Sequence, residues 1–334
     1  MLKKVLISIG VLLLIGLGVW KIFFSGETIK DRVENISESL TSYNLEGNME
    51  IINGEEKRNF NVKVSYLKGE DDYFKVSLYD TSINQEQILL RNNDGVYVLT
   101  PSLNTAHKFK SGWPMSSAKP YIYQSLLSVF DGEYEIEKME DGILVRSNIS
   151  YKNSPTYSKQ EIKFSNELVP IWVNIYNDKD ESVLNINFTK VEVGVTFEED
   201  YFELNNTMNL SRENISEDVV SPSDDLPYML TGSDLNIELL DSVVVKIEDE
   251  DLHMLVYKGD SNFTVIEKVS NVYEETQVVE TSGEIVLTIN GFATLEESKV
   301  SYSYNGIDVV IYGDSLDVST YLNIVNGMEV STSK

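Results

Sequence analysis

His107 and His253 are the two imidazoles in a chain of 334 residues, and histidine is the side chain best suited to proton transfer near neutral pH. They are far apart in sequence, neither sits in a recognisable catalytic motif, and the chain has no Gly-x-Ser-x-Gly nucleophile elbow. His107 is expected in an exposed polar loop and His253 half-buried on a strand. Cysteine is absent, which removes thiol nucleophiles, disulfides and zinc-thiolate centres together. The acidic run "KIEDEDLH" (246–253) offers hard oxygen ligands, but it lacks the alternating Asp/Asn ligands and central Gly of a calcium loop, and reads as a solvated turn. There is no Gly-rich phosphate loop. With 54 Asp and Glu residues, a glycosidase-like carboxylate pair can be picked anywhere and so decides nothing. No catalytic, cofactor-binding or metal-ligating residue is assigned, and a hydrolase with a carboxylate site ranks last among the readings.

The remaining candidates are apolar and aromatic. Trp113 and Pro114 close the stretch "NDGVYVLTPSLNTAHKFKSGWP" (93–114), and Tyr121, Ile122, Leu126 and Phe130 follow at helical spacing. These six residues are either the ordinary core of a helix laid on a sheet or the lining of a cleft. A cleft of that kind would hold an acyl chain or a partner's apolar side chains by shape and apolarity.

The net charge is −27, from 27 Lys and Arg against 54 Asp and Glu. Such a chain cannot replace the counterions around nucleic-acid phosphates, so nucleic acid is not an expected partner. Residues 205–334 hold 6 basic and 24 acidic residues and are the more acidic part.

Periodicity supplies the elements that would carry these side chains. Ile29, Val33, Ile36, Leu40 and Tyr43 predict an amphipathic helix over 27–43. Strict alternation at Phe60, Val62, Val64 and Tyr66, with Asn53-Gly54 before and Lys68-Gly69 after, predicts a hairpin. "QILLRNNDGVYVLT" predicts another, turning at Asn93-Asp94-Gly95. Residues 119–130 predict a helix with Pro120 at its start. Strands are expected at 134–139, 142–151, 157–165, 169–177, 182–193 and 195–203. The polar stretch 205–225 reads as a linker. Beyond it a smaller α+β unit is expected, with turns at Asn290-Gly291 and Asn305-Gly306 and a closing helix whose Leu322 and Val325 face inward.

At the N-terminus Lys3 and Lys4 precede an apolar run, and Val5 to Phe24 would span roughly 30 Å as a helix. No small-x-small cleavage site ends the run, and a lipoprotein signal would need a Cys. An uncleaved single-pass anchor is expected, with its N-terminus cytoplasmic and Trp20 and Lys21 at the outer interface. The bulk would then be extracytoplasmic, at the cell membrane or in the intermembrane space of a forespore. The expected divisions are 1–25 anchor, 26–204 first domain, 205–225 linker and 226–334 small acidic domain.

The stretches "YLKGEDDYFKVSLYD", "QILLRNNDGVYVLTPSLNTAHKFKSGWPMSSAKPYIYQSLL" and "QEIKFSNELVPIWVNIYNDKDESVLNINFTKVEVGVTFEEDYFEL" resemble the LolA/LppX/RseB-like superfamily in its Gram-positive, spore-former branch of GerS- and YdcC-like proteins. The resemblance covers about residues 28–204, and residues 226–332 resemble the domain of unknown function that follows in YdcC-type chains. It implies an α+β fold in which a curved antiparallel sheet, a half-barrel, covers helices. It also implies a non-enzymatic role: lipid or lipoprotein carriage or sensing on the concave face, or, as in the GerS case, partnership with a spore cortex amidase. The missing Cys and the extra acidic domain depart from GerS, and a fixed anchor departs from shuttling carriage. A membrane-anchored adaptor in sporulation, germination or envelope maturation is therefore the expected function, with a lipid or lipoprotein module as the alternative.

Overall fold

The computed structural model describes residues 28–214, 226–230, 235–314 and 316–330. The expected anchor, 1–25, lies outside the described residues, and among these no helix is long and apolar enough to cross a membrane.

The N-terminal unit contributes helix α1 (Ile29–Ser39). Thr28 and Asp31 cap it reciprocally: the Asp31 carboxylate accepts from the Thr28 N–H at 2.9 Å, and the Thr28 hydroxyl accepts from the Asp31 N–H at 3.2 Å. The helix is shorter than the expected 27–43. Leu40 and Tyr43 lie beyond it, and Tyr43 already belongs to a strand, because the alternating run from Ser42 onward suits a pleat better than another helical turn.

From Leu40 onward the described residues form one compact unit. Its larger sheet uses β1 (Ser42–Asn53), β2 (Glu56–Leu67), β3 (Tyr73–Asp80), β4 (Gln85–Asn92), β5 (Gly95–Thr100), β6 (Thr105–Phe109), β7 (Glu135–Met139), β8 (Gly142–Asn148), β9 (Lys159–Phe164), β10 (Pro170–Tyr176) and β11 (Ser182–Val193). The turns at Gly54 and Asn93-Asp94 stand where the sequence places them. β1 closes the meander by pairing with both β2 and β11, and these two runs of neighbours make an open antiparallel sheet. Gly47 sits at a register shift between β1 and β11, where a Cβ would lie 2.6 Å from the Asn187 carbonyl oxygen.

Three expectations within this region are corrected. The helix expected over 119–130 is a short α2 (Tyr123–Leu127) continued by a 3₁₀ turn (Ser128–Asp131), with Pro120 outside it. The strand expected at 195–203 does not form. Phe197, Tyr201 and Phe202 pack against one another with ring centroids 4.7–5.1 Å apart, and tight turns set their positions instead of a ladder. The linker expected from 205 begins as helix α3 (Leu204–Asn214). Its polar sequence hides the anchor Met208, which is fully buried against Ile88, Leu90, Tyr97 and Leu99. Residues 215–225 lie outside the described residues.

The C-terminal part supplies β12 (Tyr228–Leu230), β13 (Ile237–Ile247), β14 (Glu250–Gly259), β15 (Phe263–Val269), β16 (Gln277–Thr281), β17 (Glu284–Thr288), β18 (Gly291–Leu295), β19 (Lys299–Tyr304), β20 (Ile307–Tyr312), α4 (Val318–Asn326) and β21 (Met328–Val330). Seven of these strands form a second sheet in the order β13-β14-β15-β20-β19-β18-β17. Helix α4, capped by Asp317 accepting from the Thr320 N–H at 2.7 Å, covers this sheet with Tyr321, Leu322, Ile324 and Val325. Leu322 and Val325 face inward as expected. Strand β16 departs from its neighbours and pairs in parallel with β6, becoming the terminal strand of the first sheet. Strands β12 and β21 pair with each other in a small third sheet, and the described residues thus form a mostly-sheet α+β protein with two large open sheets.

Candidate functional site

A run of aromatic contacts leads from α2 to Trp113. Tyr43 on β1 stacks on Tyr66 at 5.1 Å, Tyr66 meets Phe74 at 4.9 Å, and Phe74 stacks on Trp113 at 4.6 Å. This aromatic ladder crosses adjacent strands because Tyr43, Tyr66 and Phe74 are register partners. The Tyr43 hydroxyl donates to Gln124 Oε1 at 2.7 Å and accepts the Tyr123 N–H at 3.3 Å, which pins the first turn of α2 to the sheet. Tyr121, Ile122, Leu126 and Phe130 are each no more than 3% exposed, and Pro114 is buried as well. Trp113 is half-exposed, with the Arg91 guanidinium 5.9 Å from its ring centre. Five of the six residues are thus packed inside, and Trp113 is the one that reaches solvent.

The histidines do not converge. His107 belongs to strand β6 instead of an exposed loop, because β16 lies alongside it: its Nδ1 is 3.1 Å from Thr281 Oγ1. Burial lowers its pKa, with Asp308 opposing. His253 is half-buried on β14, as expected. In the acidic run Glu250 is paired with Lys268 at 2.8 Å, which together with its bonds to Asn271 lowers its pKa. Among the described residues no group of three or more metal-ligating side chains occurs.

The surface feature that the alternation rule misses is β13. Leu240, Val244 and Ile247 are 54–58% exposed, and Leu239, Val243 and Val245 are exposed as well. A continuous apolar run ordinarily reads as a strand buried on both faces. This one is the last strand of its sheet, paired only with β14, and β14 is paired with β15 only from His253 to Tyr257. Among the described residues, the far end of the hairpin therefore projects past the sheet with both faces uncovered and one hydrogen-bonding edge open. Glu238, Asp241, Glu248 and Asp249 surround the run, with Lys246 as its single base. The sequence signal that could have found it is the acidic flanking of "VVV", which a strand buried on both sides would not tolerate.

The sheets meet through side-chain amides. Gln87 and Gln85 of β4 each donate to the Ser303 carbonyl at 3.3 Å and accept main-chain N–H bonds, from Phe292 at 2.7 Å and Asn305 at 2.8 Å respectively. Asn104, left-handed at φ 57°, ties the loop before β16 by donating to the Tyr273 and Glu274 carbonyls at 3.1 and 3.0 Å.

No family model matches the chain. Along 318 residues it is 27% identical to the sporulation protein YdcC of Bacillus subtilis (strain 168), a match that takes in 92% of each chain. The resemblance to a YdcC-type sporulation protein read from the sequence is thereby shown. Among solved structures, MucB in complex with MucA(peri) is 10% identical over 91% of this chain and 98% of that one, with a TM-score of 0.30. A LolA superfamily protein, NE2245 from Nitrosomonas europaea, is 12% identical over 52% of this chain and 97% of that one, also with a TM-score of 0.30.

Proposed function

We propose that this chain is a non-enzymatic, membrane-anchored extracytoplasmic adaptor that acts in sporulation, germination or envelope maturation and holds a protein partner by strand addition at β13. The observation that carries the reading is the open apolar edge of β13. Pairing there would satisfy a row of main-chain groups and bury alternate side chains of both strands. The acidic surroundings select an incoming segment in which apolar residues alternate with Lys or Arg. The likeness to a sporulation protein over nearly the whole chain supports the cellular setting, and a spore cortex amidase is the partner that the family resemblance implies. The apolar run at 5–24 supplies the tether. The alternative, lipid or lipoprotein binding on the concave apolar face near Trp113 and Tyr121, requires the packed α2 region to open.

A crosslinked pull-down of the full chain from vegetative and sporulating cells, analysed for proteins and lipids, tests this. The wild type is expected to capture a protein during sporulation, and a Leu240→Lys/Val244→Lys variant to lose it. Stoichiometric lipid with no protein, or equal capture by the variant, overturns the adaptor reading.

A further inference from the structure

Where the second sheet meets β2–β4, a cavity of about 340 Å³ opens, with Arg58, Tyr228, Asn290, Tyr302, Tyr304 and Asn305 in its wall. Among the described residues, four buried side-chain oxygens lack a hydrogen-bond partner: Tyr228 Oη, Asn305 Oδ1, Asp80 Oδ2 and Glu267 Oε1. All four belong to this one neighbourhood. Tyr228 and Asn305 line the cavity, and Asp80 lines an adjoining recess that shares Ile83, Asn290 and Tyr304 with it. Glu267, fully buried, uses Oε2 to accept the Tyr228 N–H at 2.9 Å, and it lies near enough to the Tyr302 phenol to influence its ionisation.

Buried polar groups in folded proteins are nearly all paired, so four orphans around one cavity mark a place that something polar fills. An apolar guest would leave every one of them unpaired. An anion would face Asp80 and Glu56. A cation would meet Arg58, whose guanidinium lies 4.7 Å from the centre of the Tyr304 ring and donates to its hydroxyl. The group that fits is neutral, gives hydrogen bonds to several oxygens and accepts them from Arg58. Hydroxyls do this, and the aromatic side chains Tyr302 and Tyr304 in the same wall suit the C–H surface of a ring that carries them. We propose that the cavity is a binding site for a neutral polyhydroxyl ligand of the sugar class, with Tyr228, Asn305 and Asp80 taking its hydroxyls. Burial raises the Glu267 carboxyl to about 8, so at neutral pH this group, which holds the Tyr228 N–H behind the cavity wall, is protonated and puts no charge beside the site. The site is separate from the β13 edge and stands or falls independently of the adaptor reading.

The test is isothermal titration of the full chain with glucose, N-acetylglucosamine and cellobiose, with putrescine and inorganic phosphate as charged probes. A sugar is expected to bind saturably at one site, and the charged probes not to bind. Tyr228→Phe removes a hydroxyl that has no partner among the described residues, so it is expected to weaken the sugar at least tenfold while leaving the thermal midpoint unchanged. No saturable sugar heat, which would mean that the cavity holds water only, overturns the proposal. So does equal sugar affinity in the variant, or preferential binding of putrescine or phosphate.

Discussion

Gln87 Oε1 on β4 accepts the main-chain N–H of Phe292 on β18 at 2.7 Å, and a Cβ added at the neighbouring Gly291 would stand 2.2 Å from that same oxygen. This amide is one of the two that join the sheets, and the backbone that approaches it is a glycine. Gly291 also has φ +91°, a conformation that costs an L-residue energy. Gln87→Ala strands a buried N–H and is expected to destabilise by about 1–3 kcal/mol. Gly291→Ala is expected to cost about 2 kcal/mol or more through strain and collision together. Because the collision disappears when Gln87 is shortened, urea unfolding of the double variant is expected to show less than the sum of the two. Strict additivity would contradict the contact.

Glu267 gives the fold a pH dependence of unusual sign for a carboxyl. Desolvation raises it from 4.5 to about 8, opposed by the hydrogen bond from the Tyr228 N–H. In the unfolded chain it ionises near 4.5, whereas in the folded protein it stays protonated up to about 8. Its contribution to stability is complete below pH 4.5, and is lost as pH rises to about 8 at about 1.4 kcal/mol per unit. Glu267→Gln keeps the acceptor for Tyr228 and removes the titration. It is expected to be more stable than wild type at pH 8 and nearly equal at pH 4.5, as read by chemical denaturation. A variant less stable at both pH values would contradict this.

Strands were legible in the sequence because a pleat has period two, and Asn53-Gly54, Asn290-Gly291 and Asn305-Gly306 mark turns by backbone chemistry alone. Helices were less so. The apolar spacing of 27–43 ran past the real end at Ser39 into Tyr43, and α3 carries a single fully buried apolar anchor, Met208, in a polar sequence. The seam was invisible because its residues look like solvent-facing polars. Gln85 and Gln87 are 8% and 5% exposed only because Ser303, Asn305 and Phe292, more than 200 residues away, arrive to pair with them. The parallel pairing of β16 with β6 is equally non-local. Helical spacing marked Ile122, Leu126 and Phe130 as a buried face, but such spacing is the same whether the face is core or cleft.

Trp113 and Tyr121 separate those two uses of the α2 region. Tyr121 is 2% exposed, so Tyr121→Ala is expected to cost about 3–5 kcal/mol as an aromatic truncation in a closed core. Trp113 is half-exposed and held mainly by its stack on Phe74 at 4.6 Å, an arrangement in which the ring interaction contributes about 0.5–1.5 kcal/mol beyond area. Trp113→Ala is therefore expected to cost about 1–3 kcal/mol, clearly less than Tyr121→Ala. Trp113→Phe keeps a ring on Phe74 and is expected to recover more than half of the loss. Thermal midpoints of the three variants decide the matter. A Trp113→Ala variant as stable as wild type would mean that the indole is not seated on Phe74, which would restore an open cleft as the place where a ligand or partner enters.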